Sequence, residues 1–371
     1  MKILFELIRR EAAKTGVLPF ARFMELALYC PGLGYYETQK DNVGRHGDFY
    51  TSVGVGNLFG QLLAFQFARW LEEVKTINPR LSTLNLIEAG AHDGKLAADI
   101  LNWLQLNRPE LFGQIEYGII EPSARRREWQ KKTLKDFSNV RWLHSQPSTF
   151  NPQLNGVIFS NELLDAFPVH RLGWDAKNKK WFEWGVAVEG EKFVWAKIQK
   201  PEARSQKPEL DSLSAICHLP SALLAVLPDN YTVEISPAAE NWWREAANIL
   251  NCGKLLTIDY GLTADEMFSP ARTRGTLRAY FRHHVTDDIL ANAGEQDLTA
   301  HVNFSAIQKA GEAAGLKTEM FSTQTKFLTQ ILEKTLQEKS FEWNANRTRQ
   351  FQTLTHPEHL GRAFRVLVQS R

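Results

Sequence analysis

The hydrophobic and polar positions of this chain follow two alternating periods from residue 84 onwards. An apolar run at 84–89 predicts a buried strand, and behind it Leu96, Ile100, Trp103 and Leu104 recur at the spacing of one helix face. The same rhythm predicts strands at 115–121, 140–143, 156–160, 254–259 and 364–369 and helices at 95–105 and 123–135. Strands separated by helices indicate a mostly parallel sheet with right-handed crossovers.

Two stretches depart from this rhythm. Residues 3–29 place apolar side chains at helical intervals on either side of a Gly and a Pro, which predicts two short amphipathic helices before a Gly-rich, aromatic connection and a helix at 57–74. Between 168 and 237, strand patterns at 171–174, 181–188 and 193–198 predict an antiparallel β-meander. We therefore predict an α/β fold with a seven-stranded, mostly parallel Rossmann-like sheet at 81–167 and 238–371, a helical and loop cover at 1–80, and an inserted meander subdomain at 168–237.

The charge balance bears on the class of partner. The chain of 371 residues has 44 Lys and Arg against 42 Asp and Glu, a net charge of +2. Such a chain lacks the field that attracts nucleic acid or anionic lipid without specificity. Basic side chains at 125–127 and 131–132 are therefore interpreted as a solvated helix face, and we expect no nucleic-acid partner.

Cysteine use and hydropathy bear on the compartment. Cys30, Cys217 and Cys252 are far apart and form no C-x-x-C pair, which argues against a disulfide framework or a zinc site. No apolar run reaches the length of a membrane span, and the N-terminus lacks the pattern of a signal peptide. We predict a cytoplasmic protein without membrane insertion and without a bound metal.

The turn after the first strand carries the clearest chemical signal. Glu88 precedes a Gly90-x-x-x-Gly94 turn, and the next acid at a strand end, Glu121, follows 31 positions after Gly90. A dinucleotide fingerprint requires G-x-G-x-x-G with an acid about 20 residues later, so the spacing fits S-adenosylmethionine better than NAD. Glu121 would accept the ribose hydroxyls. The alternatives are a plain βα connection and, at Glu121, a solvated acid beside a Ser123 helix cap.

A second polar group follows the strand at 156–160. Asn161, Glu162 and Asp165 come at the carboxyl end of that strand, which is the edge where open α/β sheets bind ligands. Two acids and an amide suit an amine or guanidinium nucleophile, which they would orient electrostatically. The alternative is that Asn161 and Asp165 cap the next helix. Asp259, at the end of another apolar strand, is a candidate supporting residue at the same edge.

Taken together, these segments resemble the MidA-type family of S-adenosylmethionine-dependent methyltransferases, whose mitochondrial members look like protein arginine methyltransferases that assist assembly of respiratory complex I. The match runs nearly end to end. Its motifs are Pro31-Gly32-x-Gly34-Tyr35-Tyr36, Gly47-Asp48-Phe49-x-Thr51, Glu88-x-Gly90-x-x-x-Gly94, Glu121-Pro122-Ser123, Asn161-Glu162-Leu163-Leu164-Asp165-Ala166-Phe167-Pro168, Asp259-Tyr260-Gly261 and Asp297-Leu298-Thr299-Ala300-His301-Val302-Asn303-Phe304.

The resemblance implies a class I methyltransferase that uses S-adenosylmethionine, releases S-adenosylhomocysteine and acts on a protein side chain, with arginine favoured. A respiratory-complex subunit is one such substrate, and a homodimer is left open. The implied cofactor residues are Glu88, Gly90, His92, Gly94, Glu121 and Pro122, with Asp48 and Thr51 closing over the cofactor; Asn161, Glu162 and Asp165 would be catalytic.

The chain departs from the family at two places. His92 stands where the family's turn has its middle glycine, and Val53-Gly54 replaces a Pro-Glu pair. These departures leave open a non-catalytic assembly or binding factor that keeps the fold with an impaired cofactor site. A nicotinamide-dependent oxidoreductase is disfavoured because G-x-G-x-x-G is missing.

Overall fold

The computed structural model describes residues 2–38, 51–143, 153–198, 221–282, 284–338, 341–358 and 360–371. The chain forms two compact units. The first unit contains Met1–Lys40, Asp165–Glu240 and Leu262–Ile307, and the second contains Asp41–Leu164, Asn241–Gly261 and Gln308–Arg371. The domain bounds drawn from the sequence stay a prediction.

The helices and strands have the following bounds. The strands are β1 (Leu18–Pro19), β2 (Leu84–Ala89), β3 (Ile115–Ile120), β4 (Val140–Leu143), β5 (Leu154–Asn161), β6 (His170–Asp175), β7 (Lys180–Glu189), β8 (Lys192–Ile198), β9 (Thr232–Ile235), β10 (Leu250–Leu262), β11 (Arg278–Phe281), β12 (His284–Thr286), β13 (Asp297–Thr299), β14 (Val302–Asn303), β15 (Lys317–Thr323) and β16 (Phe364–Ser370). The longer α-helices are Lys2–Thr15, Phe20–Tyr29, Leu58–Ile77, Lys95–Asn107, Ala124–Thr133, Pro237–Ile249, Phe304–Ala313, Gln324–Glu338 and Ala345–Thr355. Single-turn helices are Tyr35–Thr38, Ser52–Val55, Pro109–Phe112, Ser221–Leu224, Ala264–Met267 and Leu360–Ala363, with a 3₁₀ turn at Leu164–Ala166.

A mixed sheet forms the centre of the second unit. Its strands lie in the order β15-β16-β10-β5-β2-β3-β4. The pairs from β10 to β4 are parallel, whereas β16 pairs antiparallel with both β10 and β15. Because β2, β3 and β5 run in the same direction, their carboxyl ends, and the loops that follow them, meet at one edge of the sheet.

Helices cover this sheet through large apolar side chains. The helix Leu58–Ile77 buries Phe59, Phe65 and Phe67 completely, and the Phe67 ring lies 4.8 Å from that of Phe159 on β5. Aromatic side chains of this size contribute most of the apolar area that leaves water on folding. The strands β2 and β5 are therefore supported by a close-packed apolar core.

The first unit contains the predicted meander. β6, β7 and β8 form antiparallel hairpins, and the sheet is completed by β1 on β7 and β9 on β6. The two predicted N-terminal helices pack against one face, where the rings of Phe20 and Trp195 lie 5.0 Å apart. A smaller antiparallel sheet, β12-β11-β13, lies in the same unit.

The structure confirms the α/β class. It also confirms the elements predicted from periodicity, including β2, β4 and the helices that begin at Lys2, Phe20, Leu58 and Lys95. Within the described parts of the chain, no helix has the length and hydropathy needed to cross a bilayer. The same described residues contain no group of three or more His, Cys, Asp and Glu side chains able to hold a metal ion.

Candidate functional site

The turn between β2 and the helix Lys95–Asn107 has an unusual backbone. Gly90, His92 and Gly94 all adopt left-handed conformations, with φ of 74°, 46° and 85°. A Cβ added to Gly90 would lie 2.8 Å from Cδ1 of Leu163, which follows β5. Position 90 is therefore glycine for two reasons, its φ and its close contact with the loop after β5. The turn presents backbone rather than side chain at the point where β2 ends.

His92 adopts the conformation that glycine adopts more easily. A left-handed φ costs a residue with a Cβ about 1–2 kcal/mol. Hydrogen bonds hold the turn: the side-chain amide of Gln130 donates to the carbonyl oxygen of His92 at 3.0 Å, the backbone N–H of Lys95 donates to Asp93 Oδ1 at 3.0 Å, and the N–H of Gly94 donates to the carbonyl oxygen of Ala91 at 2.7 Å. The turn thus accommodates a residue with a side chain at position 92 in a left-handed conformation.

Glu88 lies in the sheet directly before this turn. Its side chain is buried, and the phenol of Tyr117 on the neighbouring strand β3 donates to Glu88 Oε2 at 2.6 Å. Burial raises the pKa of Glu88 from 4.5 to about 7, while the Tyr117 hydrogen bond acts in the opposite direction. This acid is therefore poised to gain or lose a proton near neutral pH.

Glu121 follows β3 and is only 3% exposed. Its Oε1 accepts the backbone N–H of Ser123 at 2.9 Å and its Oε2 accepts the amide of Gln130 at 3.1 Å, with the Arg126 guanidinium 4.0 Å away. Ser123 also caps the helix Ala124–Thr133 by accepting the Arg126 N–H at 3.2 Å. The cap interpretation of Ser123 is confirmed, whereas Glu121 is a buried acid and not a solvated one.

Asn161 and Glu162 lie at the end of β5. Glu162 has a left-handed φ of 51°, and its N–H donates to the carbonyl oxygen of Ile258 at 2.9 Å. Asn161 Nδ2 donates to Glu162 Oε1 at 3.1 Å, and the backbone N–H of Ser52 also donates to this carboxylate. Burial first, and the charge of Asp259 second, raise the pKa of Glu162 to about 8. A half-buried acid with a raised pKa that is itself held in a left-handed conformation is typical of functional positions.

Asp259 supports the segment that carries these two side chains. It is completely buried, and its Oδ2 accepts the N–H groups of Leu163 at 3.1 Å and Leu164 at 2.8 Å. Asn161 lies three residues before Leu164. Its Oδ1 atom is buried and has no hydrogen-bond partner among the residues that the structure describes. Buried acceptors of this kind are rare in proteins, and such an atom is available to a donor on a ligand.

The remaining predicted site residues have different surroundings. Thr51 caps the helix Ser52–Val55 by accepting the Gly54 N–H at 3.1 Å, and the carbonyl oxygen of Pro122 accepts a hydrogen bond from Arg127. Asp165 is 7% exposed and belongs to the first unit, whereas Asn161 and Glu162 belong to the second. Asp48 lies outside the described residues.

Sequence reasoning missed the groups that hold the acids in place. These are the side chains of Gln130 and Tyr117 and the backbone N–H of Ser52, described above. One signal was available for Gln130: the helix Ala124–Thr133 is strongly charged, yet Trp129 and Gln130 are the residues that it buries. A polar side chain on the buried face of a helix usually has a specific partner.

The donors and acceptors at this edge fit a nucleoside joined to an amino acid. The buried carboxylate of Glu121 is an acceptor of the kind that binds ribose hydroxyls, and the glycines of the turn at 90–94 permit close backbone approach. Buried Glu88 precedes that turn, where it could favour an ammonium group. The chain's own residues therefore fit S-adenosylmethionine, which carries both ribose hydroxyls and an ammonium group.

Comparisons with known proteins agree with this geometry. A family model described as "Putative S-adenosyl-L-methionine-dependent methyltransferase" matches residues 62–322. A crystal structure of a Burkholderia thailandensis protein bound to S-adenosyl-homocysteine is 31% identical, covers 100% of this chain and 92% of its own, and superposes with a TM-score of 0.82. A native crystal structure from the same organism has 30% identity, the same coverage and a TM-score of 0.80. The predicted cofactor, S-adenosylmethionine, is confirmed.

Curated relatives are more distant. The Drosophila melanogaster "Protein arginine methyltransferase NDUFAF7 homolog, mitochondrial" is 26% identical over 83% of this chain and 70% of its own length. The mouse protein arginine methyltransferase NDUFAF7, mitochondrial, is 26% identical over 80% of this chain and 67% of its own. The prediction of a cytoplasmic location is wrong, since these relatives are named as mitochondrial proteins. The sequence features used for that prediction, cysteine use and the N-terminal pattern, do not distinguish the two compartments.

Proposed function

This chain belongs to the family of S-adenosyl-L-methionine-dependent methyltransferases, and we propose that it methylates a nitrogen atom of a protein side chain, with arginine as the favoured acceptor. We assign cofactor binding to Glu88, Gly90, His92, Gly94, Glu121 and Pro122, with Asp48 and Thr51 as closing residues. We assign binding of the substrate nucleophile to Asn161 and Glu162, with Asp165 as a third candidate.

The observation that carries this proposal is the pair of acceptors after β5. Asn161 uses its amide nitrogen to hold Glu162, which leaves Asn161 Oδ1 as a buried acceptor without a partner among the described residues. Leu163, the next residue but one, lies against Gly90 in the cofactor turn. An N–H donor bound by Asn161 and Glu162 would therefore lie beside the turn that binds the cofactor.

The charges at this position favour a cationic nitrogen. Glu162 is half-buried, and desolvation together with the nearby carboxylate of Asp259 raises its pKa to about 8. A guanidinium group would offset both the burial and the like charge, and it presents several N–H donors in a planar arrangement. Arginine fits these acceptors better than a hydroxyl group, which offers one donor and no charge.

When bound, S-adenosylmethionine supplies an electrophilic methyl group on its sulfonium. Asn161 Oδ1 and the Glu162 carboxylate would accept N–H hydrogen bonds from the substrate and orient the nitrogen lone pair. Formation of the N–C bond accompanies cleavage of the methyl–sulfur bond, with S-adenosylhomocysteine as the leaving group, and the nitrogen would lose its proton to the Glu162 carboxylate. The segment that carries both side chains is fixed by Asp259, so the acceptors need little rearrangement.

The names of the relatives support the finer parts of the proposal. The fly and mouse proteins are named protein arginine methyltransferases, and both are named mitochondrial. On that basis we propose a protein arginine as the acceptor and the mitochondrion as the location. A respiratory-complex subunit stays a prediction from the family resemblance.

The test is methyl transfer from tritiated S-adenosylmethionine to the proteins of a mitochondrial extract, followed by acid hydrolysis and chromatography of the labelled amino acids. We expect label in methylarginine with the wild-type protein and a large loss of label with Glu162→Gln at unchanged S-adenosylhomocysteine affinity. Glu128→Gln, an exposed acid on the helix Ala124–Thr133, serves as the control and should keep full activity. Label in lysine or glutamine would overturn the arginine assignment, and equal loss of activity and cofactor affinity in Glu162→Gln would overturn the role of Glu162.

A further inference from the structure

The side chain of Gln130 joins two parts of the proposed cofactor site that are far apart in sequence. It is completely buried, and its amide nitrogen donates to the carbonyl oxygen of His92 at 3.0 Å and to Glu121 Oε2 at 3.1 Å. His92 belongs to the turn after β2, whereas Glu121 follows β3. One amide group therefore holds both.

Trp142 fixes the orientation of this amide. Its indole N–H on β4 donates to Gln130 Oε1 at 3.0 Å. An indole nitrogen is a donor only, so the group facing it must be the amide oxygen. The two N–H groups of the amide then point to the two remaining neighbours, and both of these are acceptors. All three polar contacts of Gln130 agree with one orientation.

The helix that carries Gln130 packs directly on the turn. A Cβ added to Gly94 would lie 3.3 Å from Cδ1 of Leu134 and 3.4 Å from Cα of Gln130. The helix therefore lies close enough to the turn that a side chain at position 94 would touch the helix backbone at Gln130. A shift of this helix would move the turn and the donor to Glu121 together.

We propose that Gln130 is a positioning residue that sets the ribose carboxylate of Glu121 and the turn at 90–94 in register for the cofactor. This inference rests on the assignment of Glu121 and the turn to cofactor binding made above. The amide of Gln130 does not contact the cofactor, because its N–H groups donate to His92 and Glu121 and its oxygen accepts from Trp142. It acts on affinity by limiting the rotation of the Glu121 carboxylate and the movement of the His92 carbonyl.

The chain contains a matched control for this role. Gln369 on β16 is also completely buried; its Oε1 accepts the indole N–H of Trp243 at 2.8 Å, and its amide nitrogen donates to the Gln308 carbonyl oxygen at 2.9 Å and to Thr318 Oγ1 at 2.8 Å. The bonding pattern matches that of Gln130 except that one acceptor is a hydroxyl and not a carboxylate. In the sheet, however, β10 and β5 lie between β16 and the strand β2 that leads to the cofactor turn.

The experiment is calorimetric titration of S-adenosylhomocysteine into the wild-type protein, Gln130→Leu, Gln369→Leu and Trp142→Phe, with melting temperatures measured for each. We expect Gln130→Leu to lose about tenfold or more in affinity, as for a lost hydrogen bond to a charged group, and Trp142→Phe to lose less in the same direction. Gln369→Leu should lower the melting temperature by a similar amount and leave the affinity within about twofold of wild type.

Two results would overturn the inference: wild-type affinity in Gln130→Leu, or equal loss of affinity in Gln130→Leu and Gln369→Leu. If Gln130→Leu does not fold, wild-type affinity in Trp142→Phe overturns it instead. Glu121→Gln separates the inference from its premise. Wild-type affinity in Glu121→Gln would reject the ribose assignment itself, whereas reduced affinity in Glu121→Gln beside wild-type affinity in Gln130→Leu would reject the positioning role alone.

Discussion

The phenol of Tyr117 donates a 2.6 Å hydrogen bond to the carboxylate of Glu88, and both side chains are buried in the sheet. Tyr117 lies on β3 opposite Leu86, two residues before Glu88 on the parallel strand β2. This bond favours the ionised form of Glu88, whereas burial favours the protonated form, and burial has the larger effect. The acid before the cofactor turn therefore titrates in a range that affects both folding and binding.

Glu88→Gln should flatten the dependence of stability on pH. The pKa of Glu88 rises from 4.5 to about 7 on folding, so the folded state holds a proton that the unfolded chain has already released. The stability from this group is fully present below pH 4.5 and is lost as the pH rises through 7, a decrease of roughly 3 kcal/mol. Urea unfolding of the ligand-free protein between these pH values should show this decrease in stability. Glu88→Gln should lack the part of the decrease that Glu88 causes. Parallel pH profiles for the two proteins would contradict the prediction.

Tyr117→Phe should destabilise the protein more than the loss of a neutral hydrogen bond does. The variant leaves a buried carboxylate without its side-chain donor, which costs about 1.5–3 kcal/mol. Tyr231 is a matched control, since it is also completely buried but donates to the backbone carbonyl oxygen of Ser269 at 3.2 Å. Tyr231→Phe should cost about 0.5–1.5 kcal/mol. Chemical denaturation at pH 8 measures both, and an equal loss in the two variants would show that the Glu88 contact has no special weight.

Methyl transfer should depend on the ionisation of Glu162. Its pKa is about 8, because of burial and the nearby charge of Asp259, and the carboxylate form is the one that accepts N–H groups and a proton. Below that pH, kcat/KM should rise about tenfold per pH unit and then level off. Initial rates with tritiated cofactor between about pH 6 and pH 9 would show the profile, and Glu162→Gln should lack it. A wild-type profile without an inflection near 8 would argue against Glu162 as the ionising group.

The sequence allowed the prediction of the groups at strand ends but not of the groups that hold them. Glu88, Glu121 and Glu162 could be located because apolar runs end beside them, and in a parallel sheet such ends meet at one edge. Tyr117 and Gln130 could not, because their roles depend on which strand or turn lies opposite them. Register between β2 and β3 places the Tyr117 phenol at Glu88, and a single sequence does not contain that register.

Gly90→Ala should impair cofactor binding through a steric contact in addition to backbone strain. Gly90 and Gly190 have similar φ values, 74° and 61°. A Cβ at 90 would lie 2.8 Å from Leu163 Cδ1, whereas a Cβ at 190 would meet nothing within 4 Å. Gly190→Ala should cost about 1–2 kcal/mol of stability from backbone strain and leave S-adenosylhomocysteine affinity unchanged. Gly90→Ala should add a loss of affinity of up to about tenfold, since the Leu163 side chain, next to Glu162, must change its position to make room.

His92→Gly should change neither affinity nor stability by much. The carbonyl oxygen of His92, which accepts from Gln130, is retained in glycine, and loss of the imidazole removes only a partly exposed contact with Asp93 Oδ1 at 3.7 Å. Relief of the left-handed strain is offset by the greater flexibility of glycine in the unfolded chain, so the net change in stability should be within about 1 kcal/mol. Calorimetry with S-adenosylhomocysteine should give affinities within about threefold of each other. A gain of tenfold or more in His92→Gly would mean that the imidazole obstructs the site, and it would favour a binding or assembly factor with an impaired cofactor site over an active methyltransferase.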